Sequence, residues 1–599
     1  MQISRRIFAL IAPMIVVPSI LAAQTYPSTH DPRTGLKAGR LDAGVAAENM
    51  RLVSFSPKPA EFDTARGLTF INSDLAFSNH YVYQGNFAGF TVWDVSNPNA
   101  PKTAAVVSCI TAQADPSIYG NLLFISAEGR GNRNDCAKGG VQDPKDHMAG
   151  VRIYDVTNPA APRLIKNVQT CKGSHTHTIV PDPKDKGVIY IYVSGNQGAR
   201  PATELAGCNN GTDPADENNS LYRLDIIRVP LAHPEQSAVV AGARLFTGLG
   251  AAPHATSRPG RARPAGEEAP APTGPRNCHD VTAYPAMNLL AGACASYGLM
   301  VDISNPLKPV RLDAVSDTNF SLWHTAVFSN DGKQVVFTDE WGGGTGPMCQ
   351  ATSMMEMGGN TTLTINSKGK LTQHAYFKIP TAQSAQENCV SHNGGLIPVP
   401  GRDIMAQGWY QGGVNIIDFT DPDHPKELAY YDRGPIDLPP SGDSAAKPEG
   451  GRGTGGTIGG SWGAYWWNGL IYSSELDRGF DIYELTPSAQ LSANEIAAAK
   501  LVHLTQYNPQ SQPHIVWPAA FPVVRSYLDQ LVRNNGLAAA RTTAIANALD
   551  AAEKQSGRQR RASLETLASQ VNKDVNNAQD SARVKSMAAA ISALAKATE

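Results

Sequence analysis

The sequence predicts an all-β chain of repeated blades followed by a small all-α helical bundle. Three observations predict it. A strand-and-turn motif recurs along the chain at spacings of roughly 40–70 residues, which is the signature of stacked supersecondary units. Gly (54) and Pro (42) make up about one residue in six of the 599, enough to punctuate many short strands without the excess of a disordered chain. After Tyr527 the aromatics stop, and apolar residues recur at three and four spacing, as in VVRSYLDQLV and TTAIANALDAAEK.

Taken from the N-terminus, residues 1–23 read as a signal peptide. Arg5-Arg6 precede a short apolar run broken by Pro13 and Pro18, which suits an export signal better than a spanning helix. Ser4-Arg5-Arg6-Ile7-Phe8 is compatible with either the general secretory route or the twin-arginine route. The expected location is periplasmic or secreted. No later stretch is long and apolar enough to span a bilayer, so no transmembrane segment is expected in the mature chain. The net charge of −2 and the lack of a basic block argue against a nucleic-acid partner.

Residues 24–48 read as an N-terminal linker and 49–490 as the repeat domain. Its best motif copies are GFTVWDVSNPNAPK, GVRIYDVTNPAAPR, GLMVDISNPLKPV and GVNIIDFTDPDHPK, ending at Lys102, Arg163, Val310 and Lys426. Each is an apolar strand closed by Asp, then Ser or Thr, then Asn/Asp-Pro. The Asx side chain folds back on the backbone and Pro fixes φ, so the strand ends in a turn. Inner strands are expected to begin near Asp74, Asp115, His177, His279, His324, His392 and Trp462, which gives seven blades. The segment NMRLVSF, residues 49–55, is a spare strand that would complete the last blade and remove an exposed edge. Residues 254–276 and 451–460 read as surface insertions.

The motif resembles the LVIVD repeat of exported bacterial β-propellers, over roughly residues 50–490. That resemblance implies a β-propeller, with four-stranded sheets around a channel. The strand count makes it a seven-bladed β-propeller, with six or eight blades as the alternatives because of the long insertions. Residues 491–520 read as a linker, and 521–599 as three or four helices. The helical tail resembles the small FIMAH-type modules appended to exported bacterial proteins.

The propeller places the eight cysteines. Cys109, Cys171, Cys278 and Cys389 each precede an inner strand, while Cys136, Cys208, Cys294 and Cys349 each follow a second strand. Both positions lie on one face of the disk. Nearest-neighbour disulfides are therefore expected: Cys109–Cys136, Cys171–Cys208, Cys278–Cys294 and Cys349–Cys389.

The starts of the inner strands line the axis. His177, His279, His324 and His392 are candidate metal ligands there, with Asp74 and Asp115 as ligands or a general base. Neutral imidazoles with a carboxylate or two suit Fe, Cu or Zn. His175, Trp462, Glu340, Gln407 and Glu475 are candidate ligand-binding residues around the same mouth. Gln84, Glu128 and Asp339 belong to the same outer tier, near the ends of second strands. The alternatives for the ring are a structural channel of ordered water and a site for a non-metal ligand. Ser461, in GGSWG, lacks the strand-then-helix setting of a nucleophile elbow and reads as chance.

Two functions follow. One is an extracytoplasmic binding module whose disulfide-fixed face recognises a protein, glycan or small molecule. The other is a metal-dependent enzyme, an oxidoreductase or hydrolase, centred on the histidine ring. Histidine-ringed propellers such as the carotenoid-cleaving oxygenases and the selenium-binding proteins are similar in architecture, not in motif.

Overall fold

A computed structural model describes residues 26–63, 70–129, 131–255, 274–344, 347–385, 387–436 and 458–598. The expected signal peptide, the GRGTGG stretch at 451–456 and most of the 254–276 insertion lie outside the described residues.

The chain is mostly β, and its sheets are built from four-stranded antiparallel meanders. Their inner strands are Asn72–Ser78, Pro116–Tyr119, Thr176–Pro181, Val281–Tyr284, Trp323–Phe328, Asn393–Ile397 and Ser461–Trp467. The last two run side by side in parallel, Asn393 opposite Gly463, which merges their blades into one nine-stranded sheet. The blade of Ser461–Trp467 takes only three strands from its own stretch. Its outer strand is Met50–Pro57, paired antiparallel with Gly479–Leu485. The N- and C-terminal parts of the β domain are thereby zipped together. Val45–Glu48 adds a further strand to the outer edge of the neighbouring blade.

The repeated motif has a local cause in each of its four copies. The strand-ending Asp accepts from the backbone N–H two residues on: Asp94 from Ser96 at 2.9 Å, Asp155 from Thr157 at 2.9 Å, Asp302 from Ser304 at 2.8 Å and Asp418 from Thr420 at 3.0 Å. The Asn or Asp before Pro then does the same, as Asn97 does for Asn99 at 3.2 Å. Two successive Asx turns reverse the chain between the third and fourth strands. Apolar residues between blades form the core, for example Leu122, Phe124 and Ile153 against Ile179 and Ile191.

The stretch expected as an N-terminal linker is packed. Arg33 is fully buried and pairs with Asp31 and Glu427, each at 2.7 Å. The stretch expected as a linker at 491–520 is also structured. It begins with α1, Ala493–Lys500, which carries a Ser492/Glu495 capping box and buries Ile496 and Ala499 in the core of the last two blades. Residues 503–517 then cross the ends of the inner strands opposite the histidines. Leu504 N–H donates to Asn468, Tyr507 pairs with Phe77, and Asn508 brackets Ile118. Ser511 donates to the Ile179 carbonyl, Gln512 brackets Phe328, Ile515 meets Asn330, and Trp517 donates to the Pro398 carbonyl. Gln510 accepts from the Ala283 N–H. This strap touches every blade in turn and closes the far end of the axis.

Helices α2 (Phe521–Arg533), α3 (Ala539–Glu553), α4 (Gly557–Asp574) and α5 (Ser581–Lys596) form the predicted bundle around Leu531, Ile545, Leu564, Val571, Met587 and Ile591. Arg533 and Arg402 both pair with the buried Glu495, so the bundle is anchored on the β domain. Among the described residues no helix is long and apolar enough to cross a membrane.

Candidate metal centre

The described cysteines form four disulfides, Cys109–Cys136, Cys171–Cys208, Cys278–Cys294 and Cys349–Cys389. They fix the loops on the face where the inner strands begin, and that face holds the histidines.

Four imidazoles run in an arc, each ring against the next. Ring centres are 4.2 Å apart for His175–His279, 4.0 Å for His279–His324 and 4.1 Å for His324–His392. Glu340 faces the arc. Its carboxylate lies 3.5 Å from His279 Nε2 and 3.8 Å from both His324 Nε2 and His392 Nε2. His279, His324 and Glu340 present ligand atoms that all lie within 4.8 Å of one another. His175 Nε2 is 2.8 Å from His279 Nε2. Donors bound to one ion at about 2.1 Å stand roughly 3–3.4 Å apart. The His279–Glu340 separation is close to that, and the His324 and His392 separations from Glu340 exceed it by a few tenths of an ångström.

The outer ring nitrogens show which atom each histidine offers. His175 Nδ1 meets Glu128 Oε1 at 2.7 Å, His279 Nδ1 meets Asp280 Oδ1 at 3.0 Å, and His392 Nδ1 donates to the Trp462 carbonyl. With the proton on Nδ1, each Nε2 keeps its lone pair, the tautomer that metal-bound histidines take. His324 is 0% exposed, and neither of its ring nitrogens has a hydrogen-bond partner; His392 Nε2 has none either. Buried polar atoms are rarely left in this state without a missing occupant. The 2.8 Å approach of the His175 and His279 Nε2 atoms needs either a proton shared between them or a cation beside them. The residues therefore fit a bound transition metal.

The same burial sets the protonation of the arc. Desolvation holds His324 well below the ordinary histidine value, helped by the neighbouring imidazoles, and lowers His392 to about 4. Burial alone would lower His175 too, but the charge and hydrogen bond of Glu128 more than offset it and raise the value.

His177 stands apart from the arc. Its ring nitrogens meet Ser117 Oγ at 2.6 Å and Ser126 Oγ at 2.8 Å, and burial drives it down to about 3. The inner-strand alignment slips by two residues here. His175 N–H donates to Ser194 O as His279 N–H donates to Ala293 O, both at 2.7 Å, so His175 is the counterpart of His279. In SHTHT two histidines share one face, and the spacing alone does not choose between them.

Asp74 and Asp115 also lie outside the arc. Asp74 accepts from Tyr465 OH at 2.5 Å and Leu75 N–H at 2.8 Å, and Asn393 donates to its other oxygen at 3.0 Å. Asp115 is buried, and neither oxygen has a regular hydrogen-bond partner; the Asp74 N–H is its nearest favourable group. Desolvation raises both, and their mutual proximity with Asp280 adds to the rise. They form an acidic layer beside the imidazoles.

The remaining candidates sort by contact. Glu340 joins the arc. Trp462 packs on His392 with centres 4.6 Å apart, and its indole N–H has no partner. Gln407 exchanges hydrogen bonds with Asn360 at 2.8 and 3.0 Å and holds the His392 carbonyl at 3.0 Å. Glu475 pins a turn through Arg478 Nη1 at 2.8 Å and the N–H groups of Gly460, Asp477 and Arg478, so it does not reach the arc. Gln84 is held by Ser474, Gly479 and Trp93, and Asp339 by the N–H groups of Ser321, Leu322 and Gly358. Ser461 lies inside a strand against Ser473.

Sequence reasoning missed Asp280 and Tyr410. Asp280 directly follows His279, where it reads as an ordinary strand residue. Tyr410 donates to Glu340 Oε1 at 2.6 Å, and its ring lies 4.5 Å from His392. It does so with a φ of 51°, a conformation a bulky residue adopts only where its surroundings impose it.

Comparison with known proteins gives one family match. A family model described as the LVIVD repeat matches residues 72–108, which is the blade from Asn72–Ser78 to Lys102–Ser108. The chain carries an LVIVD repeat over that blade, within a mostly β fold of four-stranded sheets followed by a C-terminal helical region. No curated protein matches it. Among solved structures, the periplasmic gluconolactonase PpgL of Pseudomonas aeruginosa is 11% identical with a TM-score of 0.38, over 69% of this chain and 96% of its own. A Lactobacillus plantarum protein is 10% identical with a TM-score of 0.38, over 60% of this chain and 82% of its own. Kuenenia stuttgartiensis hydrazine synthase is 13% identical with a TM-score of 0.35, over 60% and 85%. At this distance nothing of their activities transfers to this chain.

Proposed function

We propose that the protein is an exported metal-dependent enzyme, an oxidoreductase or hydrolase, whose ion is Fe, Cu or Zn. It is held by His175, His279, His324 and His392 with Glu340. The observation that carries this is the gathering of the His279, His324 and Glu340 ligand atoms within 4.8 Å of one another at a buried centre, flanked by the His175 and His392 rings, with both His324 nitrogens unpartnered. The metal would supply a Lewis acid or a redox couple. The chain's own residues position it: Glu128 and Asp280 orient two imidazoles, and Tyr410 orients Glu340. Trp462 and Tyr410 cover the arc on one side and limit water there.

Seven blades are the count the four-stranded runs support, with Met50–Pro57 closing the last. The Arg5-Arg6 signal and four disulfides support a periplasmic or secreted location. The helical tail keeps its likeness to FIMAH-type modules. The second reading, a binding module for a protein, glycan or small molecule, is favoured by the rigid stapled face and needs no metal.

Cobalt(II) titration of the mature chain tests the choice. Visible absorption bands should appear and saturate at one equivalent, and a His279→Ala, His324→Ala double variant of matched thermal stability should show none. Equal spectra from both proteins would remove the metal from the arc.

A further inference from the structure

The two disulfides Cys109–Cys136 and Cys171–Cys208 hold neighbouring loops that together wall a surface cavity of about 360 Å³. That volume lies within the range of small-ligand sites. Its lining includes His147 from one loop, Lys172 and Gly173 from the turn before His175, and Arg200 and Glu204 from the other loop.

Two of these are buried cations. Lys172 is 4% exposed and Arg200 is 7% exposed. Lys172 Nζ donates to the carbonyls of Leu221 at 3.0 Å and Arg276 at 2.8 Å, which uses two of its three protons. Burial lowers Lys172 only to about 8, so it keeps its charge at neutral pH. Arg200 Nη2 donates to Ala149 O and Gln169 Oε1, while its buried Nε has no hydrogen-bond partner. One carboxylate lines this wall; Asp225, which lies near Lys172, is paired with Arg223 at 2.9 Å. Glu204 Oε1 stands 2.9 Å from His147 Nδ1 and 3.3 Å from Arg200 Nε, too poorly aligned with the latter for a hydrogen bond. The wall thus carries two fixed positive charges against one negative, with N–H donors left over. Buried donors of this kind gain most from an anionic acceptor.

The cavity adjoins the arc. Gly173 has a φ of +72°, and a Cβ there would come within 3.1 Å of Glu128, the carboxylate that holds His175.

We propose that this cavity is a binding site for a small oxyanion, a carboxylate or a phosphate, held by Lys172 and Arg200. The site stands independently of the metal reading. If both hold, it delivers an anionic substrate or effector next to Glu128.

Calorimetric titration of the full mature chain with phosphate, citrate and, as a neutral control, glucose tests this. Phosphate or citrate should bind and glucose should not. Lys172→Met should weaken the oxyanion at least tenfold. Glu204→Gln should tighten it severalfold by removing the competing carboxylate, a gain that a damaged fold does not produce. Binding of phosphate but not citrate, or the reverse, identifies the oxyanion. No preference for either over glucose, or a Glu204→Gln protein that binds more weakly, would overturn the proposal.

Discussion

His175 and His177 sit two residues apart on one strand face and do different work. His175 has a carboxylate behind it and turns its Nε2 to His279, whereas His177 spends both nitrogens on serine hydroxyls. His177→Gln should therefore retain full metal content and lose about 1–3 kcal/mol of stability, the cost of unpaired buried hydroxyls. Metal loss in that variant, measured at saturating ion, would move His177 into the site. The pH dependence has a definite sign. His177 titrates near 3 in the fold, below its ordinary 6.5, so the unfolded chain takes the proton first. Its contribution is intact above about pH 6.5 and is lost as pH falls toward 3, by at most ~1.4 kcal/mol per pH unit. Denaturant midpoints between pH 7 and 4 should fall more steeply for the parent chain than for His177→Gln. At this scale the sequence showed residue types and faces: the strings NCHDV, LWHTAV and NCVSHNG mark three strands of the arc. It did not show the register of SHTHT, because that depends on how far the chain runs before pairing with Ser194. It did not show Tyr410 at all, because a residue at positive φ in a turn leaves no periodic trace.

At the scale of elements, the blades were legible because each turn is written in the chain. The double Asx turn after Asp94, Asp155, Asp302 and Asp418 repeats the same donors and acceptors, and repetition is visible without a fold. The strap at 503–517 was not legible. Its residues meet five inner strands, and residues just beyond the ends of others, through side-chain amides and isolated backbone groups, so it has neither the two-residue period of a strand nor the spacing of a helix. Gln512 brackets both backbone groups of Phe328, its carboxamide accepting from the N–H at 3.0 Å and donating to the carbonyl at 2.9 Å. Gln512→Ala should cost about 1–3 kcal/mol by leaving these buried groups unpaired. An unchanged thermal midpoint would show that the strap lies on the domain without holding it.

For the molecule as a whole, the stapled face and the strapped face divide the labour. Disulfides fix the loops where the inner strands begin and the imidazoles gather, and the strap shuts the opposite end. Access to the arc is thereby restricted to the stapled face, where the oxyanion cavity also opens. The helical bundle is tied to the strap through α1 and the Arg402–Glu495–Arg533 network, which makes the tail part of the closure of the β domain. The central claim is that a metal belongs at the arc. It is tested most directly by elemental analysis of the mature chain, purified from an oxidising compartment without chelators. About one equivalent of iron, copper or zinc per chain is expected. No bound metal, even after incubation with each ion and removal of the excess, would contradict the account and leave the arc as a proton-sharing structural channel.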